Sequence, residues 1–263
     1  MVEIPEVVIE RVAAVRGSGE ALPELAEAAV EKLGLDPAET PLGGVVAATF
    51  SNPDRFPSLA VRVASRLSLP KETPAFDLQM ACSAYPYAVY VAARLAADLK
   101  KPVLVVDGDV QSRLVDVSDH ATGGIFSDAA TASVVSVGDG PSSRFGFLSR
   151  LDGALTCPEA GPIRMDGMKV FTFVATEVVG FLRGFGRDVD HFAPHQANPY
   201  MVRQLAKSLG LEDRLLTIDE AEKNPGSCSV PMALAESGAT GRVLIAGFGA
   251  GFSAAAGVVS VRG

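Results

Sequence analysis

The chain has 263 residues, of which 48% are hydrophobic and 21% charged, with a formal net charge of -8. That length and composition can bury a sizeable core, in one large domain or two smaller ones, and exclude a chain disordered throughout. The acidic balance excludes a general nucleic-acid binder, which needs a basic face, while leaving room for a local basic patch that receives an acidic partner.

Along the chain, "PEVVIERVAAV" reads as a strand and "ALPELAEAAVEKLGL" as a helix with an apolar stripe and a glycine stop. "GGVVAATFS" is a short buried strand and "FPSLAVRVASRLSL" a second amphipathic helix. The strand-like "TPAFDLQMA" runs into a helix expected over Cys82–Leu99. "KPVLVVDGDV" is another buried strand, and "GIFSDAATASVVSVG" a small-residue turn followed by a strand. The rhythm then repeats: helix in "GMKVFTFVATEVVGFLRGF", strand end in "VDHFAPH", helix in "NPYMVRQLAKSLGL". A short helix follows in "SVPMALAESG", before the closing strand pair "RVLIAGFGAGFSAAAGVVSV". Alternating strands and helices predict an α/β architecture with mixed or parallel sheets covered by helices. The similar order in the two halves suggests an internal duplication: a first half 1–138, connecting loops 139–162, and a second half 163–263.

Three cysteines, Cys82, Cys157 and Cys228, are too scattered for a disulfide framework or a zinc site and predict a reducing, cytoplasmic setting. "MVEIPEVVIE" has neither a positive start nor a long apolar core, so no signal peptide is expected. No apolar run reaches spanning length, so no membrane partner is expected either.

Four segments could carry chemistry. Cys82 sits where a strand turns into a helix, a position that favours thiolate through unpaired N–H groups and the helix dipole; it could equally be a buried small hydrophobe. His195, in "FAPHQANPYM", lies between a strand end and a helix, as an active-site or a hydrogen-bonded structural histidine would. Asn224, in "EKNPGSCSVP", precedes Pro and Gly in a turn, where asparagine ordinarily serves its own backbone. "AGFGAGFSAAAG" is a glycine-rich turn that lets backbone approach a ligand, but it is not a dinucleotide fingerprint, because no helix pattern or acidic residue follows.

In this order, the segments resemble the β-ketoacyl-acyl-carrier-protein synthase III family of the thiolase superfamily. The resemblance rests on "ACSAYPYA" at the cysteine, "PHQAN" at 194–198, "KNPGSCSVP" with Asn224, Ser229 and Pro231 in register, "FGAGF" at 248–252, and "IRMDGMKVFTF". It covers the chain from about Leu25 onward, and it implies a duplicated thiolase-like fold of mixed β-sheets and helices in αβαβα layers, as a homodimer.

It also implies a Cys82–His195–Asn224 triad, with the backbone N–H groups of Cys82 and Ala250 as oxyanion hole. Cys82 would take an acyl group from a thioester. His195 and Asn224 would then donate hydrogen bonds to the carbonyl of a malonyl thioester as it loses carbon dioxide. No metal and no cofactor is implied. Gly167, Phe171, Ala197 and Asn198 would line the pantetheine arm, with Met165 and Phe126 near the acyl pocket.

The chain departs from the family pattern at "AAVRGSGEALPELAE", which passes almost directly from strand to helix. The segment that in the family carries an aromatic residue and arginines to the nucleotide of coenzyme A is missing. An acyl-carrier-protein donor is therefore favoured over coenzyme A. Ala84, where the family has glycine, and Tyr85 are expected to reshape the acyl pocket. Two other readings stand beside condensation: acyl transfer through Cys82 without condensation, and a non-catalytic partner subunit of a ketosynthase heterodimer.

Overall fold

In the computed structural model, which describes residues 1–219 and 222–262, strand β1 (Val2–Arg16) passes through Gly17–Ala21 straight into helix α1 (Leu22–Lys32). Pro23 in the first turn and the Glu24 carboxylate, which accepts the Ala21 N–H at 2.6 Å, start this helix abruptly. The first half continues with β2 (Gly44–Ala48), α2 (Leu59–Arg66), β3 (Ala75–Leu78), α3 (Ala84–Leu99), β4 (Val103–Asp109) and β5 (Ala129–Ser149). The second half holds a two-stranded ribbon, β6 (Leu155–Thr156) with β7 (Arg164–Met165), and then α4 (Gly167–Phe173). A π-helical turn over Val174–Val178 joins α4 to α5 (Val179–Arg183). The chain ends with β8 (His191–Pro194), α6 (Pro199–Leu209), α7 (Ser229–Ser237), β9 (Gly241–Gly249) and β10 (Ser253–Val261).

The main strands form one mixed eight-stranded sheet in the order β3-β2-β4-β5-β1-β10-β9-β8. β5 joins its two sides, pairing antiparallel with β1, β4 and β10. This strand runs through the boundary expected at residue 138, so 139–149 is strand and not connecting loop. A register shift between Ile4 and Glu6 absorbs the Gly-Pro irregularity of β5, and the Glu6 carboxylate accepts the Gly140 N–H at 3.0 Å.

Period-two alternation assigns the faces. Val45, Ala47, Leu104, Val106, Ala132 and Val134 pack under α1 and α2, while Val46, Ala48, Val103, Val105 and Val135 face α3. On the other side Leu244, Ala246 and Phe248 meet α4 to α6, while Val243 and Ile245 face α3 and α7. Helices therefore cover both outer faces and fill the middle, giving the αβαβα layering. The central helix can be enclosed on all sides because most of its buried positions are small: Ala84, Ala88, Ala92, Ala93 and Ala96. Tyr85 is fully buried in this layer, its hydroxyl 3.0 Å from Ser133 Oγ. It faces core and not the acyl cavity, contrary to the expectation for Ala84 and Tyr85. No described helix is long and apolar enough to cross a membrane.

Candidate active site

β3 delivers the chain to a 3-10 turn, Ala81–Ser83, set immediately before α3. Ala81 holds the left-handed conformation (φ 43), which for a residue with a Cβ costs roughly 1–3 kcal/mol and recurs where a side chain must be presented sharply. The next residue is Cys82, 6% exposed. Burial pushes its thiol up to about 11, with the Asp109 and Asp107 carboxyls of β4 adding to the rise. Hydrogen bonds from the Ala250 N–H and from its own N–H act in the opposite direction. The sequence-based expectation of a helix-stabilised thiolate is thus corrected: desolvation outweighs the helix terminus, and resting Cys82 is a thiol that needs a base.

The two N–H groups that reach Cys82 are those of the expected oxyanion hole. The turn between β9 and β10 brings Ala250 there because its neighbours are glycines. A Cβ on Gly249 (φ +153) would lie 2.9 Å from Cys82 Cβ and 3.1 Å from Sγ. One on Gly247 would lie 2.8 Å from the Cys82 carbonyl oxygen. From inside, Ser253 Oγ donates to Ala250 O at 2.7 Å and lies 2.7 Å from Ser83 Oγ, tying the turn to the residue after the nucleophile.

β8 ends at Pro194, and His195 follows, 2% exposed, its N–H donating to Ala246 O at 2.7 Å. Its Nδ1 lies 3.0 Å from Gly226 O and 2.9 Å from Ser229 Oγ. A carbonyl oxygen only accepts, so Nδ1 carries the proton of the neutral ring and donates. Ser229 Oγ donates in turn to Gly226 O at 2.7 Å and accepts the Gln196 N–H at 3.0 Å. Burial pushes the imidazole down to about 4, the Gly226 bond opposing, so the ring is neutral near pH 7. Neutral His195 therefore offers Nε2 as a lone pair. In this state it accepts a proton first and donates a hydrogen bond once it holds one.

Asn224 is 8% exposed. Its Oδ1 accepts the Gly226 N–H at 2.8 Å, the backbone-serving turn typical of asparagine. With the oxygen so engaged, the amide NH2 is the donor left for a ligand. Gln111, buried at the start of the 3-10 turn Gln111–Leu114 after β4, braces this turn by donating from Nε2 to Ser127 O (3.0 Å) and Asn224 O (3.2 Å).

Cys82, His195 and Asn224 line one cavity of about 160 Å³, together with Met165, Gly167, Ala197, Asn198 and Phe126. Cys82 and Phe126 also border a second, more open cavity of about 650 Å³, lined by Phe50, Met80, Leu155, Ile163 and Phe252 among others. Met165 belongs to the smaller cavity, not the larger. Phe171 lines neither and is 38% exposed. The helix phase is the reason: Val170 and Val174 face the cavity, so the residue one step on from Val170 turns about a quarter-circle away. Asn198 caps α6 with Oδ1 on the Met201 N–H at 2.8 Å, so its cavity-side contribution shares a structural one.

Sequence reasoning missed the parts played by Gln111 and Ser229. A hydroxyl at the first position of α7 was the available signal for Ser229. Nothing local marks Gln111, whose partners come from two other segments. Among the described residues no group of His, Cys, Asp or Glu is arranged to hold a metal ion.

The five-layered α/β fold with a cysteine at the head of its central helix is of the thiolase type. Residues 76–152 match the 3-oxoacyl-(acyl-carrier-protein) synthase III family, and residues 186–261 match that family's C-terminal domain. The β-ketoacyl-(acyl-carrier-protein) synthase III of Sphingopyxis alaskensis is 32% identical over 266 residues, covering 90% of this chain and 82% of its own length. The crystal structure of a 3-oxoacyl-(acyl-carrier protein) synthase from Burkholderia xenovorans superposes with a TM-score of 0.88 at 22% identity, covering 99% of this chain and 95% of that one; it shows likeness of fold. The priming β-ketosynthase of a polyketide biosynthetic pathway gives 0.80 at 26% identity, covering 99% and 98%. The chain belongs to the 3-oxoacyl-(acyl-carrier-protein) synthase III family and is an acyltransferase of the condensing class.

Proposed function

We propose that the protein joins an acyl group, held on Cys82, to a malonyl thioester by decarboxylative Claisen condensation. The observation that carries this reading is the meeting of the Cys82 thiol, the basic nitrogen of His195 and the amide donor of Asn224 on one cavity, beside the Ala250 N–H.

The chemistry follows from those groups. The Cys82 proton passes to His195 Nε2, and the thiolate attacks the carbonyl of an acyl thioester. The N–H groups of Cys82 and Ala250 receive the oxyanion. As the tetrahedral adduct collapses, the departing thiolate takes the proton from His195 and the acyl group stays on sulfur. A malonyl thioester then enters with its carbonyl oxygen toward the Asn224 NH2. Its carboxylate leaves as carbon dioxide, and the released electron pair forms an enolate. Asn224 stabilises the enolate oxygen throughout, and His195 adds a second donor whenever it holds a proton. The enolate carbon attacks the acyl-Cys82 carbonyl, the C–S bond breaks, and Cys82 leaves as thiolate, which takes a proton from solvent to restore the resting thiol.

The short Gly17–Ala21 connection between β1 and α1 supports a carrier-protein donor, since it leaves no segment there to hold a nucleotide. Family membership supports a homodimer working in the cytoplasm. The test is to offer acyl donors on carrier protein and on coenzyme A, with malonyl thioester, to the wild type and Cys82→Ala. The reading predicts β-ketoacyl product from the wild type alone, faster from carrier-protein donors, with carbon dioxide released alongside it. Acyl transfer to an added alcohol or amine, with no carbon dioxide released, would sink it.

A further inference from the structure

The Ala250 N–H sits in a turn with little stiffness of its own, because Gly249 (φ +153) and Gly251 (φ +129) flank it. The segment just after β5 holds this turn from outside. The Arg150 N–H donates to Phe252 O at 2.8 Å, and the Asp152 N–H donates to Gly251 O at 2.5 Å. The Arg150 guanidinium lies over the Phe252 ring, 5.1 Å from its centroid, and 6.0 Å from that of Phe173. Phe173 and Phe252 themselves stack, 4.4 Å apart and within 3° of parallel. The same guanidinium pairs with Asp152 at 2.6 Å and with Glu177 at 2.9 Å. Glu177 belongs to the π-helical turn that continues α4, beside Val174 on the wall of the triad cavity.

Half-exposed ion pairs contribute little to stability by themselves. Their arrangement here is geometric: two carboxylates fix the plane of a guanidinium against the ring of a turn residue. Lysine could keep the charges but not the flat stack.

We infer that Arg150 is a positioning residue: through Phe252, Asp152 and Glu177 it clamps the Gly249–Ser253 turn and holds the Ala250 N–H where the acyl oxyanion forms. This rests on the reading of Ala250 as an oxyanion donor. It separates the two halves of the reaction, because acylation uses that N–H and decarboxylation uses Asn224 and His195.

The experiment compares Arg150→Gln and Arg150→Lys with the wild type in two assays, single-turnover acylation of Cys82 followed by intact mass, and carbon dioxide release from a malonyl thioester. Arg150→Gln slows acylation about tenfold while decarboxylation keeps its wild-type rate, and Arg150→Lys falls between. Glu177→Gln, which removes one tether only, shows a smaller loss with the same split and serves if Arg150→Gln does not fold. Equal loss in both assays, as from a general packing role, or no loss in either, overturns the inference. Gly249→Ala is the control: if it too acylates normally, the oxyanion assignment fails and not the clamp alone.

Discussion

Replacing Gly249 by alanine tests the close approach of the glycine turn to the Cys82 side chain. The new methyl would lie 2.9 Å from Cys82 Cβ and 3.1 Å from Sγ, on a backbone at φ +153. Ordinary carbon contact needs roughly 3.5–4.0 Å, so the turn must recede by about 0.6–1 Å. The conformational strain costs roughly 1–3 kcal/mol of stability, which a folded domain of this size can tolerate. The larger effect is on rate. An oxyanion donor acts at roughly 2.7–3.1 Å, and losing one costs about 100- to 1,000-fold, or roughly 3–4 kcal/mol in the barrier. Rapid-quench acylation of Cys82, read by intact mass, should show that loss in Gly249→Ala, with folding checked by circular dichroism. Acylation of a folded Gly249→Ala protein at the wild-type rate would refute the reasoning.

Other outcomes follow from the same geometry. Asn224→Ala should still acylate Cys82 but lose carbon dioxide release by about 100-fold, since it removes a donor to the enolate. Alkylation of Cys82 by iodoacetamide should keep rising with pH and level off only near 11, where burial has pushed the thiol, well above a free cysteine; a plateau below neutrality would contradict a buried thiol. Burial pushes folded His195 down to about 4, below the ordinary imidazole value of about 6.5 that the unfolded chain keeps. The unfolded chain therefore binds the extra proton in that window, and stability to urea should fall as pH drops from 6.5 through 4, more steeply than in His195→Asn. Ala92→Leu, at a fully buried position between the sheet faces, should cost about 1–3 kcal/mol by overpacking while leaving the site chemistry intact.

The sequence made the site legible through order more than through any one residue. Cys82, His195 and Asn224 each had an ordinary structural reading, and all three of those readings are also true: Cys82 is buried, His195 is buried and hydrogen-bonded, and Asn224 does serve its own turn. What stayed out of reach depends on contacts distant in the chain. The proton position on His195 is set by Gly226 O, from a loop that meets the end of β8 only after folding. The high thiol value comes from burial beneath the Gly249–Ser253 turn, which no local pattern encodes. Which side of α4 faces the cavity, Val170 and Val174 inward and Phe171 turned outward, also emerges only with the folded helix, whose start Asp166 caps through the Lys169 N–H at 3.1 Å. Glycine, proline and serine in "GDGPSSRFGF" read as loop, but pairing with β1 and β10 overrides that propensity and carries β5 through to Ser149.

The most direct test is a single-turnover experiment on wild-type enzyme already acylated at Cys82, chased with a malonyl thioester. The acyl mass should leave Cys82 in step with carbon dioxide release and appearance of the β-ketoacyl thioester. Departure of the acyl group without carbon dioxide, or an equal acyl adduct on Cys82→Ala, would contradict the account.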